Sequence, residues 1–175
     1  RGLGDVYKRQ IWTWWFDSGI KQSEGHYIDD EQDGLWSYFS KDGSVAEEIT
    51  FSGGKRDGRS TVWLTPEEKQ EEKFYKNGKL DGPSTFWENG YRSTMTTYRS
   101  DSPEGPWVIW FSNSDQIKEQ GFHQKGIREG LTTYYYEDGT MQREGFFKEG
   151  LPDGMWTYWN KEGEKDFDFD FGSGL

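Results

Sequence analysis

An acidic residue followed by glycine recurs along this chain at a nearly constant interval: Asp33-Gly34, Asp57-Gly58, Asp81-Gly82, Glu104-Gly105, Glu129-Gly130 and Asp153-Gly154. The glycines lie 24, 24, 23, 25 and 24 residues apart. Five residues after each stands an aromatic: Phe39, Trp63, Trp87, Trp110, Tyr135 and Trp159. One period earlier Trp15 takes the same place, which makes seven units at residues 10–32, 33–56, 57–80, 81–103, 104–128, 129–152 and 153–175. A fixed period of this length confines the chain to an array in which each unit is stabilised chiefly by its neighbours. Residues 11–175 therefore read as a single repeat domain with no internal linker.

Composition is informative only against that period. Leu, Ile, Val and Phe make up 30 of the 175 residues, and the net charge is −11, a pairing that in a non-repetitive chain signals disorder. Ten Trp and ten Tyr reverse the conclusion, because large rings that recur in register bury much area. The 23 glycines fit many tight turns. There is no cysteine, so disulfides and thiolate zinc sites are excluded. No apolar run reaches the roughly 18 residues of a membrane span. The acidity disfavours nucleic acid and anionic lipid, which need clustered Lys and Arg, and leaves basic or neutral partners open.

The stretch Asp33–Arg56 shows how one unit folds. Leu35-Trp-Ser-Tyr-Phe39 is short, aromatic and alternating, as a strand requires. The Asp42-Gly43 step supplies a tight hairpin turn, Ala46–Phe51 is the return strand, and Ser52–Gly58 turns into the next unit. With no helical period and only short connections, successive hairpins are expected to lie side by side. The predicted fold is all-β: an elongated antiparallel meander of about seven stacked hairpins, or about fourteen short strands.

Alternation divides each first strand into two sets of side chains. One carries the aromatic present in every unit (Trp15, Phe39, Trp63, Trp87, Trp110, Tyr135, Trp159), usually with Ser or Thr two residues earlier. These rings are expected to be the structural packing stripe. The other set varies between units and is the candidate binding surface: Trp12, Trp14, Trp36, Tyr38, Trp107, Trp156 and Tyr158. The faces of the return strands stay unassigned, because their register depends on the length of each turn.

The unit Asp-Gly-x-Trp-x-x-aromatic, an acidic-Gly turn, Glu, a strand ending in Phe or Tyr, and x-x-Gly-Lys resembles the MORN-repeat variant. Glu104 and Glu129 replace the opening Asp, and Ser60, Ser84 and Thr132 replace the first-strand Trp. The resemblance covers residues 10–175. It implies hairpins stacked into an open curved sheet or solenoid used for protein contacts. Bacterial chains built this way are often named as the antitoxin component of YwqK type, which makes a toxin one partner to consider. The resemblance implies no catalytic site.

The search for reactive groups returns little. His26 and His123 are the only histidines and lie at different unit offsets, with no metal-ligand cluster nearby. No phosphate loop, nucleophile elbow or zinc spacing occurs. Glu24, Glu48, Glu72, Glu119 and Glu144 recur at one offset, whereas a catalytic carboxylate pair occurs once, so they read as a solvated row or as partners of Lys and Arg. Asp166, Asp168 and Asp170 alternate with Phe167, Phe169 and Phe171, as in a last strand with one packed side and one charged, edge-protecting side.

The expectation is a non-enzymatic scaffold, with no cofactor and no metal, that binds another protein through its aromatic face. The rival reading is a carbohydrate- or cell-surface-binding module that stacks sugars on exposed Trp and Tyr. Residues 1–10 stand outside the register, and Asp5-Val-Tyr-Lys-Arg-Gln10 is similar to a translated transposon-end sequencing adapter. They are expected to be a dispensable, non-native arm on a gene fragment, so both cytoplasmic and exported locations stay open.

Overall fold

The computed structural model describes residues 10–172; of the expected arm only Gln10 lies within that range, and the tail after 172 lies outside it. The chain divides into two compact units. Unit 1, Arg1–Ser84, holds β1 (Ile11–Trp15), β2 (Lys21–Ile28), β3 (Glu31–Phe39), β4 (Val45–Ser52), β5 (Lys55–Trp63), β6 (Lys69–Lys76) and the start of β7 (Lys79–Glu88). Unit 2, Thr85–Leu175, holds the end of β7 and β8 (Tyr91–Arg99), β9 (Ser102–Trp110), β10 (Ile117–Gln124), β11 (Ile127–Arg128), β12 (Gly130–Tyr135), β13 (Met141–Lys148), β14 (Leu151–Trp159) and β15 (Lys165–Asp170).

Within each unit the strands pair antiparallel in chain order, the meander of hairpins that the repeat predicts. The described residues hold fifteen strands rather than about fourteen, because one first strand is split into β11 and β12. At the break the Glu129 N–H bonds back to the Phe122 carbonyl at 3.0 Å, and Gly130 takes φ +78°.

Two kinds of turn alternate: the first holds the expected Asp42-Gly43 step, and the second is tighter than the expected Ser52–Gly58 link. Inside a unit, Ser40–Ser44 closes with Ser40 N–H donating to the Ser44 carbonyl. Gly43 is left-handed at φ +90°, while Asp42 uses its carboxylate to accept from the Ser44 N–H and hydroxyl. Asp138 caps Thr140 in the same way. These hydrogen bonds, from Ser44 and Thr140, hold both carboxyls below the usual Asp range. The links from one repeat to the next are two-residue turns with both φ positive, such as Asn77-Gly78 (50° and 83°).

The repeated acidic-Gly pair does not form a turn. It lies inside a strand, or for Glu129-Gly130 at the break between β11 and β12; Gly58 and Gly105 both have φ +118°, and the ladder shifts by two residues, as between Ile49 and Phe51. The preceding carboxylate reaches forward to the next link: Asp57 accepts from the Asn77 N–H, Glu104 from Lys125 and Glu129 from Glu149, at 2.8–2.9 Å. This forward cap gives a physical reason for the acid at Asp57, Glu104 and Glu129.

The core lies on what will be called the indole face. The buried apolar residues are Trp36, Ile49, Trp107 and Trp156, with Trp110 on the opposite, hydroxyl face. This reverses the expected packing stripe. Of the aromatics common to all units only Trp110 is buried; Phe39, Trp63, Trp87, Tyr135 and Trp159 are half-buried, and Trp15 is 59% exposed. The reason is their position. Each observed case follows a register shift next to the hairpin turn, as at Tyr38/Phe39 and Tyr158/Trp159, where one side of the ring meets solvent.

The positions of Trp36 and Trp156 need room on the neighbouring strand, and glycine supplies it. The indole of Trp36 covers Gly25 and that of Trp156 covers Gly145. In one unit that lacks the large ring the neighbour is larger, since Ser60 stands beside Ile49 and both are buried; Thr132, by contrast, stands between Gly121 and Gly145.

Candidate functional site

In unit 1 the variable aromatics converge. Trp12 and Trp14 alternate with Thr13 on β1 and so share the indole face with Trp36 and Tyr38 of β3. Consecutive rings are only gently tilted: 24° between Trp12 and Trp14, 34° between Trp14 and Trp36, and 31° between Trp36 and Tyr38. Tyr27 meets Trp12, Trp14 and Trp36 edge-on, at 62–88°. The outcome is a cluster of packed aromatic rings. Trp12 and Trp14 are exposed, Tyr38 is half-buried, and Trp36 is buried as its floor.

A shallow depression of 320 Å³ opens on this cluster, lined by Trp14, Gln22, Ser23, Tyr27, Gln32, Trp36 and Tyr38. Ser23 is paired with both Trp14 and Tyr38, and as a small buried residue it leaves space between their rings. Gln22 is the extra residue where Trp14 pairs Ser23 but Trp15 pairs Lys21, and its side chain is exposed. Gln32 donates its amide to the Tyr38 hydroxyl at 3.2 Å.

In unit 2 the remaining candidates do not form such a surface. Trp107 is buried over Gly121, with the Arg128 guanidinium 4.4 Å from its ring and His123 5.6 Å away. Arg128 is held by Glu119 at 3.4 Å and by the Tyr134 hydroxyl at 3.0 Å. Burial, and then the Arg128 charge, hold the His123 pKa below its ordinary value. Trp156 is buried among Tyr134, Phe147 and Phe171, and Tyr158 stacks on Phe167 at 4.5 Å. The last strand alternates as predicted, with Phe167 facing Tyr158 and Phe169 facing Trp156 while Asp168 accepts from Lys165 and Thr157 on the other side. Its Phe side, however, is not packed: Phe167, Phe169 and Phe171 stay 45–50% exposed, because no further strand covers them among the described residues. Of the seven residues proposed for binding, Trp36, Trp107 and Trp156 are interior side chains, because each lies over or between neighbouring strands.

The hydroxyl face carries a ladder. In unit 1 it runs Thr13, Glu24, Ser37, Glu48, Thr61, Glu72 across consecutive pairs. Glu24 is salt-bridged to Lys21 and Glu72 to Lys69. In unit 2 Val108, Gln120, Thr133, Glu144, Thr157 and Asp168 continue the pattern. Gln120, not Glu119, holds the row position there, because β10 bulges between Ile117 and Glu119 and turns Glu119 to the indole face. Among the described residues no group of three or more His, Asp or Glu side chains is placed to hold a metal ion.

Sequence reasoning missed an apolar row on the hydroxyl face of unit 2. Pro106, Phe122, Leu131, Phe146 and Met155 come from β9, β10, β12, β13 and β14, and all are exposed. Phe122 pairs with Pro106 and Leu131 with Phe146. The signal was available, since Leu131 and Met155 directly follow a repeated glycine, and Phe122 and Phe146 each stand eight residues before the next one. It was unreadable while the return-strand faces were unknown.

The geometry is that of a repeat-built, all-β chain with side-chain surfaces. Two stretches, residues 32–52 and 128–149, match the family model described as the MORN repeat variant, and there the chain is similar to that repeat. No curated protein matches the chain.

Proposed function

We propose that this chain is a non-enzymatic scaffold that holds another protein. The apolar row of unit 2 carries the reading: five consecutive members of one face expose Pro106, Phe122, Leu131, Phe146 and Met155 to solvent. An exposed apolar patch of this kind is the usual mark of a protein contact surface. Repeats of the matched kind serve generally as protein- or membrane-binding modules, which supports the same class. The net charge of −11 favours a neutral or basic partner. A bacterial toxin is the finer reading, supported by the resemblance to chains named as antitoxin components.

The test uses the full chain as bait beside the double variant Leu131→Asp/Phe146→Asp. A specific protein retained by the wild type and lost by the variant, at unchanged far-UV circular dichroism, supports the proposal. Identical retained proteins in the two samples would overturn it. Co-expression with a toxin encoded beside the gene tests the finer reading, which fails if growth arrest is not relieved.

A further inference from the structure

We propose that unit 1 carries a binding slot for a neutral saccharide on the surface formed by Trp12, Trp14, Trp36 and Tyr38. This site shares no residue with the protein-binding row, and it does not rest on that reading.

Charge is the first argument. The chain has 21 basic and 32 acidic residues, yet the seven side chains that line the depression are all uncharged. A charged ligand would find no partner there, and a neutral one meets no desolvated ion. The rings are the second argument. Trp12 and Trp14 are 53% and 37% exposed beside the depression, and each offers ring surface to the C–H faces of a sugar. The 320 Å³ depression falls at the lower end of ligand-site volumes, suited to a short stretch of glycan.

The polar groups decide between a sugar and a proline-rich peptide. Gln22, Gln32 and Ser23 each offer both a donor and an acceptor, which matches hydroxyls that also do both. A polyproline helix presents carbonyl acceptors and calls for ring-borne donors. The Trp36 indole N–H at the floor is already committed to the His26 carbonyl at 3.1 Å. Gln32 keeps its carbonyl oxygen and one N–H after bonding Tyr38, and the exposed amide of Gln22 stands at the rim. Amides that donate and accept side by side suit vicinal hydroxyls.

The experiment titrates the full chain with cellohexaose, chitohexaose and maltohexaose while following tryptophan fluorescence, with calorimetry as a check. Saturable binding of at least one of them, millimolar or tighter, is expected. Trp14→Ala should weaken it about tenfold or more, a loss of about 1.4 kcal/mol or more. Gln22→Ala, at an exposed position, should weaken it without touching the packing. No saturable binding by any of the three overturns the proposal. So does binding that survives both substitutions, or a polyproline peptide that binds where the sugars do not. The Leu131→Asp/Phe146→Asp variant should bind the sugar as wild type does, which keeps this outcome apart from that of the protein-binding test.

Discussion

The indole of Trp36 lies flat on the backbone of Gly25: a Cβ built on that glycine would stand 2.3 Å from the ring. The indole N–H donates to the carbonyl of the next residue, His26, at 3.1 Å. Trp156 repeats the arrangement on Gly145, with a virtual Cβ at 2.2 Å and a bond to the Phe146 carbonyl at 3.2 Å. The neighbouring repeat fills the same two places with Ile49 and Ser60, so size is conserved over the pair and not at either position. Gly25→Ile alone should destabilise unit 1 by about 3 kcal/mol, as expected of a clash in a packed core. Combined with Trp36→Ser it should recover a substantial part of that loss. Urea unfolding of the four members of this cycle measures the coupling, and additive effects would refute it.

Burial also ranks the aromatics. Trp36→Ala should cost about 3–5 kcal/mol, the range for a buried large ring. Trp15→Ala, at a position aromatic in every unit but 59% exposed here, should stay within about 0.5 kcal/mol. Chemical denaturation of the two variants decides the order; a larger loss at Trp15 would mean that the common aromatic is the packing stripe after all.

The forward cap makes a further prediction about the acidic-Gly signature. Asp57→Ala leaves the Asn77 N–H without its 2.9 Å acceptor, and Glu129→Ala does the same to Glu149. Since both turns are exposed and water replaces the bond, each should cost only about 0.5–1.5 kcal/mol. The amide proton of Asn77 should exchange faster in Asp57→Ala. Unaltered hydrogen exchange at that amide would show that the acid has another task.

The hairpins were legible because Gly and Asp at fixed offsets dictate turns with little help from tertiary packing. The faces were not. Trp36 and Trp156 read as variable because their requirement is met jointly with Gly25 and Gly145 on another strand, and a scan of single positions cannot see a pair. Trp15 and Phe39 read as core because every unit has them, yet they stand beside the bulge at the hairpin turn. Glu119 was placed in the carboxylate row by counting, and a bulge between Ile117 and Glu119 moved the row to Gln120. Trp12, Trp14 and Tyr38 were correctly grouped on one face, while the row through Leu131 and Phe146 required the pairing itself.

Asp168 provides an acid-range prediction. Hydrogen bonds from Lys165 and then Thr157 hold its carboxyl below the ordinary Asp value. A folded pKa below the unfolded one contributes stability that is present above about 3.9 and lost as pH falls through the folded value. Carboxyl titration followed by NMR should place the Asp168 midpoint below that of a fully solvated Asp, and Lys165→Met should move it upward. A midpoint unmoved by Lys165→Met would remove Lys165 as the cause.

His123 provides the near-neutral counterpart. Its ring sits 5.6 Å from the buried Trp107, and burial followed by the charge of Arg128 lowers its pKa. The unfolded chain therefore takes up a proton on this residue at higher pH than the folded one does. By linkage the stabilising contribution is complete above the unfolded value of about 6.5 and is lost as pH falls through the lower folded value. Melting temperature should accordingly decline on acidification below about 6.5, before the carboxylates begin to protonate. His123→Gln, which cannot charge, should flatten that part of the profile while leaving the lower acid range unchanged. Arg128→Met should raise the His123 midpoint measured by NMR, because the repelling cation is gone. A profile for His123→Gln that still falls with the wild-type slope would assign the neutral-range loss to another group.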